Sequence, residues 1–340
     1  NVFIGYHSGG GSWTGTLSEK NVAIGNNTMA GAMNNADQNV AVGHYALNAL
    51  TEGQNNIAIG LQAGDAITTA SDNIGIGKYA LLLHTTGGNN IAIGSNAADA
   101  MTVGDYNIAI GTDAFGAVTT SDIQGAIAIG YQAMLGAHGT STNINYSVAI
   151  GHQALTAITT GAQNTAIGYQ ALSTETDGGA NTAVGYRAGY QLANTSNNNV
   201  IMGYGVMGGA DTNGDKNVAI GYNVMASNDL NNAHRNVGIG NGALGVLTTV
   251  GNIVCFGSGS GDTLTTGANN TFLGFHTEAS AVDVTYEIII GAGVDSSNAF
   301  AGGGTDTVRI GRAAEYMQGD LTSNTWAHGS DIRIKKDIED

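Results

Sequence analysis

The chain has 340 residues, of which 54 are glycine, none is proline and only 11% are charged. Its formal net charge of −16 argues against nucleic acid as a partner, because phosphate binding needs a basic face. Glycine without a three-residue period excludes collagen, a hydrophobic content of 42% excludes a disordered chain, and no run of 18 apolar residues supplies a membrane-spanning helix.

The first element is the phrase Asn1-Val2-Phe3-Ile4-Gly5. It opens the chain inside a repeat, so a longer parent chain is expected. The same phrase, varied slightly, closes on a glycine at 5, 25, 43, 60, 77, 94, 111, 130, 151, 168, 185, 203, 221, 240, 257, 274, 291 and 311. These 18 copies are 17 to 21 residues apart, most often 17, and a fixed period of this length marks a solenoid. Within Asn56-Ile57-Ala58-Ile59-Gly60, alternation predicts a strand with Ile57 and Ile59 on one face and Ala58 on the other. Gly60 then gives the backbone freedom that a corner needs. A 17-residue coil is expected to enclose a row of Ile or Val and a row of Leu. The alanine row would then form a flat apolar face outside, covered most simply by two sister chains in a homotrimer.

After each glycine, apolar residues stand three, four and seven positions on, as with Ala154, Leu155 and Ile158 after Gly151. The spacing suits a short helical turn, with a second short strand as the competing reading. Copies close on Thr-Thr-Gly or Asn-rich corners. Stacking would align Asn21, Asn39, Asn56, Asn73, Asn90 and Asn107 into a ladder of side-chain amides. Longer steps near 12–20, 122–126 and 137–146 are expected to bulge outward as loops.

Several patterns resemble sites. Gly203-x-Gly205-x-x-Gly208 and Gly240-x-Gly242-x-x-Gly245 match a dinucleotide fingerprint, yet the repeat runs on without the required helix, so they read as repeat glycines. Aromatic residues follow the phrase glycine at Tyr131, Tyr169, Tyr186, Tyr204 and Tyr222, a ladder that would either stack glycan rings or stack upon itself. His44 and His152 share that position, but no metal-ligand spacing occurs, and no metal or cofactor is expected. Thr-Thr pairs such as Thr68-Thr69 and Thr159-Thr160 read as corners with hydroxyl-to-backbone bonds. The one cysteine, Cys255, forms no intrachain disulfide.

Regularity fades after Gly291, and five of the ten basic residues (Arg309, Arg312, Arg333, Lys335, Lys336) fall in the last 32 positions. The division expected is a β-solenoid at 1–311, a linker at 312–329 and the start of another domain at 330–340.

Phrases such as "NVAIG" and "NTAIGYQAL" resemble the β-roll repeats of trimeric autotransporter adhesin heads, and still more the longer repeats of phage tail fibres. Left-handed coils and trimerisation are what this resemblance implies. The stretch Ser330-Asp331-Ile332-Arg333-Ile334-Lys335-Lys336 is similar to the opening of the intramolecular chaperone auto-processing domain of tailspikes and endosialidases. That likeness implies a self-cleavage between Gly329 and Ser330, with Ser330 as nucleophile and Lys335 as base. It implies no catalysis by this chain alone. The function expected is a structural and receptor-recognition fibre of a virion, with no membrane insertion and a glycan or outer-membrane component as receptor. A bacterial cell-surface adhesin is the alternative, and a glycan-cleaving spike with paired acids the third class.

Overall fold

The computed structural model describes the chain outside residues 14–16, 118–121, 137–142, 193–194, 210–213, 228–231, 250, 324–325 and 330–340, with backbone only at 326–329. It is all-β and forms two units, Asn1–Ala180 and Asn181–Asp340.

In the first unit, the phrases form the strands Val2–Ile4, Val22–Ile24, Val40–Val42, Ile57–Ile59, Ile74–Ile76, Ile91–Ile93, Ile108–Ile110, Ile127–Ile129, Val148–Ile150 and Thr165–Ile167. Each pairs in parallel with the next, in register: Ile57 faces Ile74, Ala58 faces Gly75 and Ile59 faces Ile76. Sheet order equals chain order, the mark of a parallel β-solenoid. The second unit repeats the pattern in Thr182–Val184, Val200–Tyr204, Val218–Tyr222, Val237–Asn241, Val254–Phe256, Thr271–Leu273, Ile288–Ala292 and Thr307–Arg312. There the direction reverses. Glu315–Asp320 runs antiparallel to Thr307–Arg312, and Trp326–Gly329 antiparallel to Glu315–Asp320, so strands occupy the stretch expected to be a linker.

Two expectations need correction. The first concerns the strand faces. Ala23, Ala41, Ala58, Ala92, Ala109, Ala128, Ala149 and Ala166 are all buried, whereas their large neighbours point outward, with Ile59 39% and Ile24 38% exposed. The alternation holds but its sides are exchanged. The reason is the width of the coil. Its interior is already filled by residues beyond the glycine corner, such as Ala46, Leu47 and Leu50, or Ala154, Leu155 and Ile158, all fully buried. Against that wall, only a methyl group fits on the strand.

The second correction is the helical turn. No helix forms among the described residues. Instead, every second residue past the corner is left-handed, as at Gln62 (φ +53°) and Gly64 (φ +61°), or Gln153 (+56°) and Leu155 (+50°). The Gln62 N–H therefore donates back to the His44 carbonyl at 2.8 Å, and the Gly64 N–H forward to the Ala80 carbonyl at 2.9 Å. Backbone donors are satisfied by neighbouring coils on both sides rather than within a turn, which offsets the roughly 1–2 kcal/mol that each left-handed non-glycine residue costs.

The phrase glycines are fixed by close approach. A Cβ on Gly60, whose φ is +139°, would lie 2.3 Å from the Gly77 carbonyl oxygen. Gly203 and Gly240 hold the same place, at φ +127° and +138°, so the apparent dinucleotide fingerprints are solenoid corners.

The asparagine ladder is present in both units. In the first, it runs through Asn21, Asn39, Asn56, Asn73, Asn90 and Asn107, and each side-chain oxygen accepts the backbone N–H of the next rung at 2.9–3.0 Å. In the second, Asn181, Asn199, Asn217 and Asn236 do the same. Threonine hydroxyls bond the next coil's carbonyl in turn: Thr51 to Thr68 at 3.1 Å, Thr85 to Thr102 at 3.1 Å, Thr159 to Thr176 at 2.9 Å. The longer steps do not simply bulge. Ile123 and Ile144 are buried, and Ile123–Gln124 pairs with Gly104–Asp105 on a second wall.

Candidate functional site

Three surface features carry side chains with binding or chemical potential. The first is the outer face of the strand wall. Because each phrase offers two large apolar residues outward, the wall bears two parallel rows of Ile and Val. In the first unit they include Ile57 and Ile59, Ile91 and Ile93, and Ile108 and Ile110, half-buried to exposed. In the second unit, Met202, Val254, Phe256 and Ile290 are among the most exposed members.

The second feature is the aromatic ladder. The corner after the glycine directs the following ring outward, and in-register stacking sets one ring over the next. In the first unit Tyr131, His152 and Tyr169 stack at 5.1 and 5.2 Å between centroids. In the second, Tyr186, Tyr204 and Tyr222 stack at 5.0 and 5.2 Å, within 10° of parallel. Ring faces are thus engaged with each other, and the edges and hydroxyls are what solvent meets. His152 is a member of that stack, and His44 lies against Tyr45 at 4.1 Å. Beside the second stack is a pocket of about 410 Å³ lined by Tyr186, Arg187, Tyr190, Gln191, Tyr204 and Asn223. The Arg187 guanidinium lies 4.8 Å from the Tyr190 ring centroid and 5.5 Å from that of Tyr186, a cation–π arrangement.

The third feature was not visible in the sequence. Asp262, five residues past Gly257, and His276 and Glu278, two and four past Gly274, bring one donor atom each to within 4.8 Å of one another. Their separation of 14 and 16 positions matches no familiar ligand spacing, and only the coil period would have revealed it. Burial raises the Asp262 carboxyl above the usual carboxylate range, opposed by the nearby His276 ring. Burial, together with the negative Asp262, raises Glu278.

Three titratable groups lie inside the coils instead. Glu175 occupies the interior row that holds Ile158 one coil earlier, and burial pushes its carboxyl up to about 7. One of its oxygens accepts the Gly178 N–H at 2.7 Å. His84 is likewise enclosed and held below its ordinary value by burial, and burial pushes the Cys255 thiol far up. Ser330 and Lys335, the candidate self-cleavage pair, lie outside the described residues. No helix among the described residues is long and apolar enough to cross a membrane. No family model, curated protein or solved structure matches this chain.

Proposed function

We propose that the chain is the repeat stalk of a homotrimeric fibre of the phage tail-fibre or tailspike kind, a structural and receptor-recognition element located on the virion. The observation that carries this reading is the outward double row of Ile and Val. A single chain leaves this ribbon in water, and an apolar ribbon of such length calls for a partner. Covering residues like Ile59 is worth roughly 0.5–1 kcal/mol each, from about 1.5–3 for a fully exposed side chain. Summed over two rows of ten strands, that reaches roughly 10–20 kcal/mol, against about 4–15 kcal/mol of freedom lost on association. Because every coil offers the ribbon in the same place, a sister chain in register meets it all along. Three chains around an axis leave no ribbon bare.

Recognition of a host-surface glycan or outer-membrane component falls to the outward corners, where tyrosine edges and the Arg187 pocket offer hydroxyl, amide and guanidinium donors to a polar ligand. Register among repetitive chains is weakly specified, since a slip of one coil exchanges like for like. A chaperone domain after position 329, released by Ser330 with Lys335 as its base, would set that register once.

The deciding measurement is the solution mass of the folded protein by sedimentation equilibrium. Three times 34.3 kDa is expected, and a single-chain mass overturns the reading. Incubation with host polysaccharides separates binding from cleavage: retention without chain shortening is expected, and shortening would assign an enzyme.

A further inference from the structure

We propose that Asp262, His276 and Glu278 form a binding site for one divalent transition-metal ion of the zinc class. Two consecutive coils of the second unit build it. The Gly261 N–H donates to the Thr277 carbonyl at 2.8 Å, and the Ser260 and Thr277 hydroxyls are 3.0 Å apart, so the turn bearing Asp262 is fixed against the strand bearing Glu278. His276 is held from its own backbone, whose N–H donates to the Ser258 carbonyl at 2.9 Å. Its ring occupies the space that a side chain at Gly259 would fill: a Cβ there would lie 2.4 Å from Nδ1.

Two independent facts point to a ligand. First, Asp262 Oδ1 and His276 Nδ1 are both shielded from solvent, and neither has a hydrogen-bond partner among the described residues. Polar atoms shut away from water are nearly always paired, and two orphans in one three-residue cluster mark a missing partner. Secondly, two carboxyls are pressed together although like charges repel. A proton shared between them, in the hydrogen bond that joins Asp262 to Glu278, relieves the repulsion but leaves His276 Nδ1 without a partner. A dication answers all three groups at once.

The donor set chooses the ion. One imidazole nitrogen with two carboxylate oxygens suits zinc or a neighbouring first-row metal, whereas calcium and magnesium favour oxygen-only sets. Zinc bonds of about 2.0–2.2 Å set donor atoms about 3.3–3.6 Å apart, so donors that now lie within 4.8 Å of one another must draw in around the ion. The three side chains are partly exposed, so a water can complete the shell.

The test is calorimetric titration of the full chain, stripped by a chelator, with zinc chloride alone and in parallel with calcium chloride. One zinc per chain is expected, with calcium at least tenfold weaker, and with zinc affinity reduced at least tenfold in Asp262→Asn and in Glu278→Gln. Undiminished zinc binding in both variants would place the metal on other histidines and overturn the site, as would no binding or a preference for calcium. Should either variant misfold, zinc-edge absorption spectroscopy of the unmodified chain decides: one imidazole with oxygens supports the site, and two or more imidazoles or a sulfur refute it.

Discussion

The side-chain oxygen of Asn39 accepts both the backbone N–H of Asn56, at 2.9 Å, and that residue's side-chain amide, at 3.1 Å. The same Asn56 amide also donates to the Ala70 carbonyl at 2.8 Å, while its oxygen takes the N–H of Asn73 at 3.0 Å. One fully buried side chain thus satisfies two backbone groups towards the next rung while bonding the side-chain oxygen of the rung before.

Replacing Asn56 with alanine leaves at least the Asn73 N–H and the Ala70 carbonyl unpaired in the interior. Each orphan costs about 1–3 kcal/mol, so a loss of roughly 2–5 kcal/mol is expected in denaturant unfolding of the chain. Glu52→Ala, four positions away, exposed and outside the left-handed region, should cost less than about 0.5 kcal/mol.

The exchange of inner and outer faces predicts opposite phenotypes for adjacent residues. Ala58→Leu forces methylenes into a filled interior and should lower stability by about 1–3 kcal/mol, at any protein concentration. Ile59→Ser, made together with the same change at Ile93 and Ile110, should leave the circular dichroism of the chain intact while weakening self-association in sedimentation experiments. Equal loss of fold in both variants would contradict the assignment of faces.

Glu175 predicts a pH dependence with a definite sign. Its carboxyl ionises near 4.5 in the unfolded chain and at about 7 in the fold, so between these values the folded state holds more protons. Stability therefore falls as pH rises from about 4.5 to 7, by about 3 kcal/mol in all, and is flat above. Glu175→Gln cannot ionise at this position, so it should unfold at a higher temperature than the parent at pH 8 and lose the Glu175 share of the slope in thermal scans between pH 4.5 and 8. A parent protein whose stability follows the same pH course as Glu175→Gln would refute this assignment.

Cys255 is enclosed, and burial holds its thiol protonated. Since the thiolate is the reactive form, iodoacetamide should leave the folded chain unlabelled at pH 8 and label it fully in guanidinium. Mass spectrometry reads both states.

Much of this architecture could be read from period alone. The 17-residue step identified the solenoid, the strand positions, the asparagine ladder and the aromatic stack, because in-register stacking turns sequence period directly into spatial neighbours. Which side of the strand faces inward could not be read. Alternation at Ile57, Ala58 and Ile59 gives two faces without naming the interior, and the answer depends on how much room Leu47 and Leu50 leave across the coil. The turn after the glycine is ambiguous in the sequence for a related reason. Apolar residues at Ala154, Leu155 and Ile158 suit a helix, but they also suit alternating left-handed residues that hand their N–H groups to neighbouring coils. The grouping of Asp262 with His276 and Glu278 exists only after coils are laid over one another.

The registry of Ile57 with Ile74 and of Asn56 with Asn73 has a consequence for how such a chain can change length. Each layer touches only the layers directly above and below it, through like atoms at like distances. Excising the 17 residues from Ile57 to Asn73 would bring Asn56 to Ile74 and reproduce the same junction, shortening the unit by one strand spacing of about 4.8 Å. Excising 16 would leave a coil of 18 residues, a length the chain already takes between Gly25 and Gly43 with Val22 still opposite Val40. Height is therefore counted in whole layers, while the number of residues in a layer is free to grow outside the strand.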